Sequence, residues 1–139
     1  AMSRAFETAL APFRPYGDRE RLCGRLGGRL QVIGVSGTAT TYGALHLGLK
    51  VYDRTKVDGL WMPCAEAEAV TERLLSMGPA GRSRCPGVGR NRADMVISGA
   101  AILSTILRTW STERFRVADR GLREGILYGL MHHQRLVAG

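Results

Sequence analysis

The segment that most constrains the fold is an apolar, β-branched run, Leu30 to Val35 (LQVIGV), with glycine on either side. Ser36, Gly37 and Thr38 follow it, and then comes Ala39 to Leu49, an Ala/Leu-rich stretch whose apolar positions suit a helix. A short apolar run that is rich in β-branched residues and bounded by glycine is typical of a buried strand. The segment therefore predicts a strand, a tight glycine turn and a helix in direct succession.

The rest of the chain alternates helical and extended patterns. Two short helices are predicted before Gly27, and a turn at Asp58 and Gly59 is predicted within an extended stretch. Strands separated by helices favour parallel α/β packing. The remaining predictions are an extended segment (Val51 to Met62), a helix after Pro63 (Ala65 to Met77), a surface loop (Gly78 to Arg90), a long helix capped by Asp94 (Met95 to Trp110), a strand (Phe115 to Ala118) and a helix (Gly121 to Leu136).

Length and composition indicate one folded domain over residues 1–139. The chain has 139 residues, of which 45% are hydrophobic and 23% are charged, values typical of a soluble globular protein. No apolar run is long enough to span a bilayer and no secretory signal is evident, so a cytoplasmic setting without membrane attachment is expected. The three cysteines are far apart and outside any C-x-x-C pattern, which argues against a disulfide framework or a zinc site.

The charge balance points to an anionic ligand. The formal net charge is +8, and most of the positive charge is arginine, whose planar guanidinium suits bidentate contact with phosphate. Nucleic acid is a less favoured ligand, because the basic residues are spread along the chain and few aromatic residues accompany them for base stacking.

The turn Ser36, Gly37 and Thr38 has two possible roles that the residues alone leave equally open. The N-terminus of a helix presents unpaired N–H groups and favours an anion, and the two hydroxyl groups could add hydrogen bonds to it. Either hydroxyl could equally cap the helix without any ligand. The spacing matches neither G-x-x-x-x-G-K-[ST] nor G-x-G-x-x-G, so it does not by itself predict a phosphate site.

Three segments together resemble the Ppx/GppA phosphatases, the exopolyphosphatases and guanosine pentaphosphate phosphohydrolases. VIGVSGTATT (Val32 to Thr41) resembles the strand and Gly-Thr turn that the wider actin-like superfamily calls the adenosine motif. RADMVISGAAIL (Arg92 to Leu103) resembles the second connecting helix, and RVADRGLREGILYGLM (Arg116 to Met131) is similar to the closing strand and helix. The resemblance implies part of a ribonuclease-H-like, actin-like lobe, with a short parallel sheet flanked by helices.

The same resemblance implies that the catalytic half of the family is not in this chain. The Asp-Gly-Ser-Asn and Asp-Gly-Gly-Gly-Ser phosphate loops have no counterpart here, and neither does the segment that carries the expected catalytic glutamate. The intact enzyme would hydrolyse terminal phosphoryl groups of polyphosphate or guanosine pentaphosphate with Mg²⁺, whose ligands are not expected in this chain. No catalytic residue and no metal ligand is assigned, and this chain alone is expected to be inactive.

The expected substrate-binding residues lie on the matching segments. Gly99 would lie near the cleft of the resembling fold, and Arg92 would face that cleft and contact the polyphosphate or guanosine end of the substrate. Arg120 and Arg123, flanking Gly121, could also bind phosphate, although ion pairs with neighbouring carboxylates are favoured for them. The full expected set is Ser36, Gly37, Thr38, Arg92, Gly99, Arg120 and Arg123.

Two further expectations concern partners. A rival interpretation is a non-catalytic basic module that holds polyphosphate, nucleotide or nucleic acid without hydrolysing it. Because the early strands of the lobe would be missing beside Leu30 to Val35, that sheet edge is expected to be exposed and to promote a homodimer or other self-association.

Overall fold

The computed structural model describes residues 2–13, 31–110 and 112–137, with the side chains of residues 90 and 133–137 left out. It is a mixed α/β structure with a small sheet of three strands. The second of the two predicted opening helices, and Leu30 of the predicted first strand, lie outside the described residues. The elements are α1 (Met2–Leu10), β1 (Ile33–Gly34), α2 (Gly37–His46), α3 (Arg54–Val57), β2 (Trp61–Pro63), α4 (Cys64–Ser76), α5 (Gly78–Arg84), a 3₁₀ turn (Arg90–Arg92), α6 (Met95–Thr109), β3 (Arg114–Val117) and α7 (Leu122–Val137).

The sheet has the order β1-β3-β2. β1 and β3 are parallel, with Ile33 opposite Arg116, which confirms the predicted parallel pairing for these two strands. β2 pairs with β3 in the antiparallel direction, so the sheet is mixed rather than parallel throughout. β1 lies at an edge, and within the described part of the chain no further strand pairs with its outer side.

The core lies between one face of the sheet and the helices α2, α4 and α6. Phe115 and Val117 of β3 and Met62 of β2 are fully buried on this face, because alternate residues of a strand point to the same side. Helix α2 packs against α4, α6 and β3. Tyr42 of α2 is fully buried, and its hydroxyl lies 2.8 Å from Thr71 Oγ1 of α4, which satisfies both polar groups.

Two predicted irregular segments form helical turns. The segment Val51 to Met62 contains α3, which begins at a cap where Asp53 Oδ1 accepts a hydrogen bond from Thr55 N at 3.0 Å. The predicted turn is confirmed by Gly59, whose φ of +84° lies in the left-handed region. The predicted loop Gly78 to Arg90 was wrong over its first half, which forms α5, with Pro79 in the first turn of that helix.

The described helices carry no membrane span, since none of them is long and apolar enough to cross a bilayer. The last helix, α7, nevertheless exposes most of its large apolar side chains. These side chains are Leu122, Ile126, Leu127, Tyr128, Leu130 and Met131.

Candidate functional site: a pocket between the glycine turn and helix α6

The first glycine turn joins β1 to α2. Ser36 has extended backbone angles, and its Oγ accepts a hydrogen bond from Ala39 N at 3.3 Å, so Ser36 caps the helix. The carbonyl oxygen of Ser36 accepts from Thr40 N at 3.1 Å. In the part of the chain that the structure describes, no acceptor is bonded to the N–H groups of Gly37 and Thr38. The turn therefore has an occupied hydroxyl cap and two free N–H donors.

Helix α6 approaches this turn closely through Gly99. A Cβ atom at Gly99 would lie 2.9 Å from Thr38 Cγ2, closer than real Cβ atoms come, and 3.2 Å from Thr38 Cβ, which is tighter than most real contacts. The absence of a side chain at Gly99 permits this approach of α6 to the turn. The structure thus brings together Gly37, Thr38 and Gly99 from two separate segments.

A pocket of about 800 Å³ opens beside this contact. Its floor is the start of α2, and its wall is one face of α6, where Met95, Ser98, Gly99 and Ile102 recur at helical spacing. The lining residues are Gly37, Thr38, Thr41, Asn91, Arg92, Met95, Val96, Ser98, Gly99 and Ile102. None of these residues is acidic, so the described part of the lining carries no negative charge.

Arg92 supplies the positive charge of the pocket. Its guanidinium lies over Gly37, since a Cβ atom built there would be 3.7 Å from Arg92 Nη1. Arg92 is exposed, and no carboxylate in the described ranges lies within ion-pair distance of it. An arginine without a carboxylate partner beside free N–H groups is an arrangement that suits a phosphate group.

A buried arginine holds the segment that carries Arg92. Arg82 of α5 is only 8% exposed and donates from Nε to Ala93 O at 3.0 Å and from Nη1 to Leu74 O at 3.1 Å. These bonds tie the residue after Arg92 to α4 and α5, because buried donors require acceptors. No sequence pattern indicated this role, since Arg82 lies within a Gly/Pro/Arg-rich stretch.

Arg120 and Arg123 are not among the described lining residues of the pocket: Arg120 lies at the turn between β3 and α7, and Arg123 lies in the first turn of α7. Arg120 Nε is 3.2 Å from Asp58 Oδ2, while Asp58 Oδ1 accepts a hydrogen bond from Asp119 N at 2.9 Å. Arg123 is exposed, and its charge helps to lower the pKa of Glu124. Arg120 is therefore in an ion pair, but its partner is Asp58 and not the neighbouring Asp119 or Glu124 that the sequence favoured, since those two carboxylates contact Arg54.

The carboxylates of this second turn are held in their ionised form. The pKa of Asp58 is lowered, chiefly by the hydrogen bond from the backbone N–H of Asp119. The pKa of Glu124 is lowered mainly by the N–H of Gly121, which donates to Glu124 Oε2 at 2.8 Å. Nearby, burial and the hydrogen bond to Asp119 raise the pKa of Tyr52 to about 12. Ionised carboxylates next to Arg120 compete with any anion for that guanidinium.

Residues that could bind a metal do not gather in this part of the molecule. Among residues 2–13, 31–110 and 112–137, no three His, Cys, Asp or Glu side chains lie close enough together to hold an ion. The pocket lining offers one side-chain amide and hydroxyl groups but no carboxylate, which Mg²⁺ prefers. These residues do not fit a magnesium site.

The sequence patterns missed several lining residues and misassigned one cap. Thr41, Asn91, Met95, Ser98 and Ile102 line the pocket but were not singled out, although the i, i+3, i+4, i+7 spacing along α6 could have indicated the shared face. Asp94 was predicted to cap α6, but its backbone is helical and its side chain makes no cap hydrogen bond. A residue with helical backbone angles at this position cannot aim its carboxylate at the first N–H groups, since a cap requires extended angles.

Comparison with known proteins gives one consistent match. Residues 16–134 match the model of the Ppx/GppA phosphatase family. A crystal structure of the Aquifex aeolicus member of the Ppx/GppA family is 27% identical with a TM-score of 0.71, covering 76% of this chain and 35% of that chain. An exopolyphosphatase-like protein is 35% identical with a TM-score of 0.67, covering 79% of this chain and 37% of that chain.

A third structure shares the fold over almost the whole chain. An exopolyphosphatase from Cytophaga hutchinsonii has a TM-score of 0.73 at 23% identity, covering 95% of this chain and 41% of that chain. This chain therefore spans well under half the length of these three solved proteins. The family match covers most of the sequence, including the glycine turn, the α6 contact and the closing strand and helix, and this chain belongs to the Ppx/GppA phosphatase family.

Proposed function

We propose that this chain forms one wall of a cleft in a hydrolase that removes terminal phosphoryl groups from inorganic polyphosphate or guanosine pentaphosphate. The observation that carries the proposal is the Arg92 guanidinium, which lies over Gly37 without a carboxylate partner among the described residues, in a pocket whose described lining residues include no acidic side chain. A polyphosphate carries about one negative charge per phosphate at neutral pH, so such a pocket favours it by charge alone.

The wall binds and orients the substrate. The Arg92 guanidinium neutralises phosphate charge, and the N–H groups of Gly37 and Thr38 donate to phosphate oxygens at the positive end of α2. Met95 and Ile102 add an apolar surface that accommodates a nucleoside base, so the same pocket serves either substrate class.

In this proposal, the proton of the attacking water is taken by residues other than those that line the pocket. The described lining residues include no carboxylate, imidazole or thiol, so they cannot take a proton from an attacking water. The activating glutamate, the phosphate loops and the ligands of the expected Mg²⁺ belong, in this proposal, to residues other than those that line the pocket. Phosphoryl transfer depends mainly on positioning and charge neutralisation, and Arg92 contributes to both.

A binding experiment with a matched arginine tests the cleft. Tripolyphosphate and guanosine pentaphosphate are titrated into the chain, into Arg92→Gln and into Arg120→Gln, with isothermal titration calorimetry at constant ionic strength. Loss of a charge-assisted hydrogen bond to phosphate weakens binding by about tenfold or more. We expect that loss for Arg92→Gln only, because Arg120 is already paired with Asp58. Equal losses in the two variants would contradict a specific cleft and indicate non-specific attraction by net charge.

An activity measurement separates the enzyme wall from a basic binding module. Phosphate release from polyphosphate and from guanosine pentaphosphate is compared between this chain and a polypeptide extended at its amino-terminal side with the two phosphate loops of the family. We expect release by the extended polypeptide alone, and its loss on Arg92→Gln. Binding without release by either polypeptide would favour the module.

Self-association through the exposed edge of β1 stays a prediction of the sequence.

A further inference from the structure

The face of the sheet that points away from the core carries a second group of basic residues. Trp61 of β2 is 37% exposed, and Arg114 and Arg116 of β3 are exposed beside it. Trp61 lies directly opposite Arg116 in the antiparallel ladder, and Pro63 lies opposite Arg114. The three residues Trp61, Arg114 and Arg116 are called the Trp–Arg surface below. The surface and the pocket have no residue in common, and residues on the opposite side of β3, such as Phe115, face the core.

The indole ring of Trp61 contacts the guanidinium groups of both Arg114 and Arg116. The Cζ atom of Arg114 lies 4.6 Å from the centroid of the Trp61 ring, and that of Arg116 lies 5.8 Å from it. A cation over the face of tryptophan is attracted by the ring quadrupole, and the contact restricts the long arginine side chain. The N–H groups around the edge of each guanidinium are then still free to donate.

These two arginines differ from those at the turn after β3. Arg120 of that turn contacts Asp58, and Arg54 of α3 contacts Asp119, whereas within the described ranges Arg114 and Arg116 make neither an ion pair nor a side-chain hydrogen bond. Two neighbouring guanidinium groups without a carboxylate repel each other, and an anion that contacts both removes that repulsion. The surface is therefore complementary to a ligand with closely spaced negative charges.

We propose that the Trp–Arg surface is a second binding site for an inorganic phosphate chain, outside the cleft. This proposal rests on the proposed function, which supplies the reason to choose a phosphate chain among polyanions. A phosphate chain needs guanidinium edges, which the surface offers in a pair. A single-stranded nucleic acid needs an open aromatic face for its bases, and the one ring here is already in contact with guanidinium groups.

Trp61 makes the site directly observable. The Trp110→Phe variant leaves Trp61 as the sole tryptophan, and its fluorescence is followed while long-chain polyphosphate is added at constant ionic strength. We expect a saturable change in Trp61 emission, because phosphate contact moves the guanidinium groups relative to the ring. The Arg114→Gln/Arg116→Gln variant should shift the midpoint by about tenfold or more towards higher polyphosphate concentration.

The controls separate this site from the cleft and from net charge. Lys50→Gln/Arg84→Gln removes two exposed positive charges elsewhere and should move the midpoint far less. Arg92→Gln should leave the Trp61 response in place, and that result supports a separate site even if the cleft proposal fails. An unchanged Trp61 emission in the presence of polyphosphate that binds through Arg92 would overturn this proposal while leaving the cleft intact. A response to single-stranded RNA but not to polyphosphate would also overturn it.

Discussion

β1 and β3 lie side by side in parallel, and each runs into a glycine-containing turn and then a helix. At the first turn the helix is capped by the Ser36 hydroxyl, and the nearest cation, Arg92, has no carboxylate partner among the described residues. At the second turn the Glu124 carboxylate accepts from Gly121, and Arg120 is paired with Asp58. The same backbone plan thus produces a turn that can accept an anion and a turn that already contains its anions.

The difference shows that an arginine's ion pairs, and not the number of arginines, determine how readily its guanidinium can contact an added anion. A guanidinium that already contacts a carboxylate has to exchange that contact for the ligand, and the gain in free energy is then small. An arginine with no carboxylate partner gives up no ion pair when it binds the ligand, so the gain in free energy is larger. Among the described residues, Arg92 and the two arginines of the Trp–Arg surface meet this condition, and Arg120 does not.

The largest expected effect on stability comes from adding a side chain where α6 contacts the first glycine turn. Gly99→Ala places a methyl group against Thr38, so we expect the free energy of unfolding to fall by about 1–3 kcal/mol, as in other overpacked cores. Guanidinium chloride titration measures the change. Gly125→Ala on α7 is the matched control, because a Cβ atom there meets no atom within 4 Å. Greater helix propensity should make that variant more stable by about 0.5–1 kcal/mol, and equal behaviour of the two variants would contradict the close contact.

A smaller effect is expected from removing the hydroxyl cap. Ser36→Ala leaves Ala39 N without its acceptor and should lower the free energy of unfolding by about 1 kcal/mol. Ser76→Ala serves as the control, since that hydroxyl donates only to Arg73 O at the exposed end of α4. If Ser36→Ala were as neutral as Ser76→Ala under the same denaturant titration, the cap would contribute nothing to stability.

The smallest expected effect is a dependence of stability on acidic pH, which arises from the carboxylates of the second turn. The pKa values of Asp58 and Glu124 are lowered in the folded chain, so their contribution to stability is complete above the ordinary carboxyl range and is lost as the pH falls through the lowered values. We expect Asp58→Asn/Glu124→Gln to reduce the loss of stability between neutral and acidic pH. The measurement is the unfolding midpoint as a function of pH.

A control for the acid dependence uses other exposed carboxyl groups. Glu68→Gln/Glu72→Gln removes two charges from α4, where neither side chain makes an ion pair in the described structure. That variant should keep the acid dependence of the parent chain. If it flattened the dependence as much as Asp58→Asn/Glu124→Gln does, the second turn would not be its source.

The sequence by itself determined the local elements that depend on neighbouring residues. The strand, glycine turn and helix around Gly37, the long helix through Gly99 and the closing strand and helix follow from apolar spacing and from the positions of glycine. The resemblance of the same segments to the Ppx/GppA family was also readable from the sequence, and the family match confirms it.

Only the tertiary structure decided which charged side chains contact a partner. Asp58 meets Arg120 across 62 positions of the chain, and Arg82 reaches the carbonyl oxygens of Leu74 and Ala93 within a segment that looked like a loop. The antiparallel strand β2 and its contact between Trp61 and Arg114 likewise depend on pairing between distant segments. The physical reason is that hydrophobic spacing and turn preference act over a few residues, whereas the partner of a charged side chain is set by how distant segments pack.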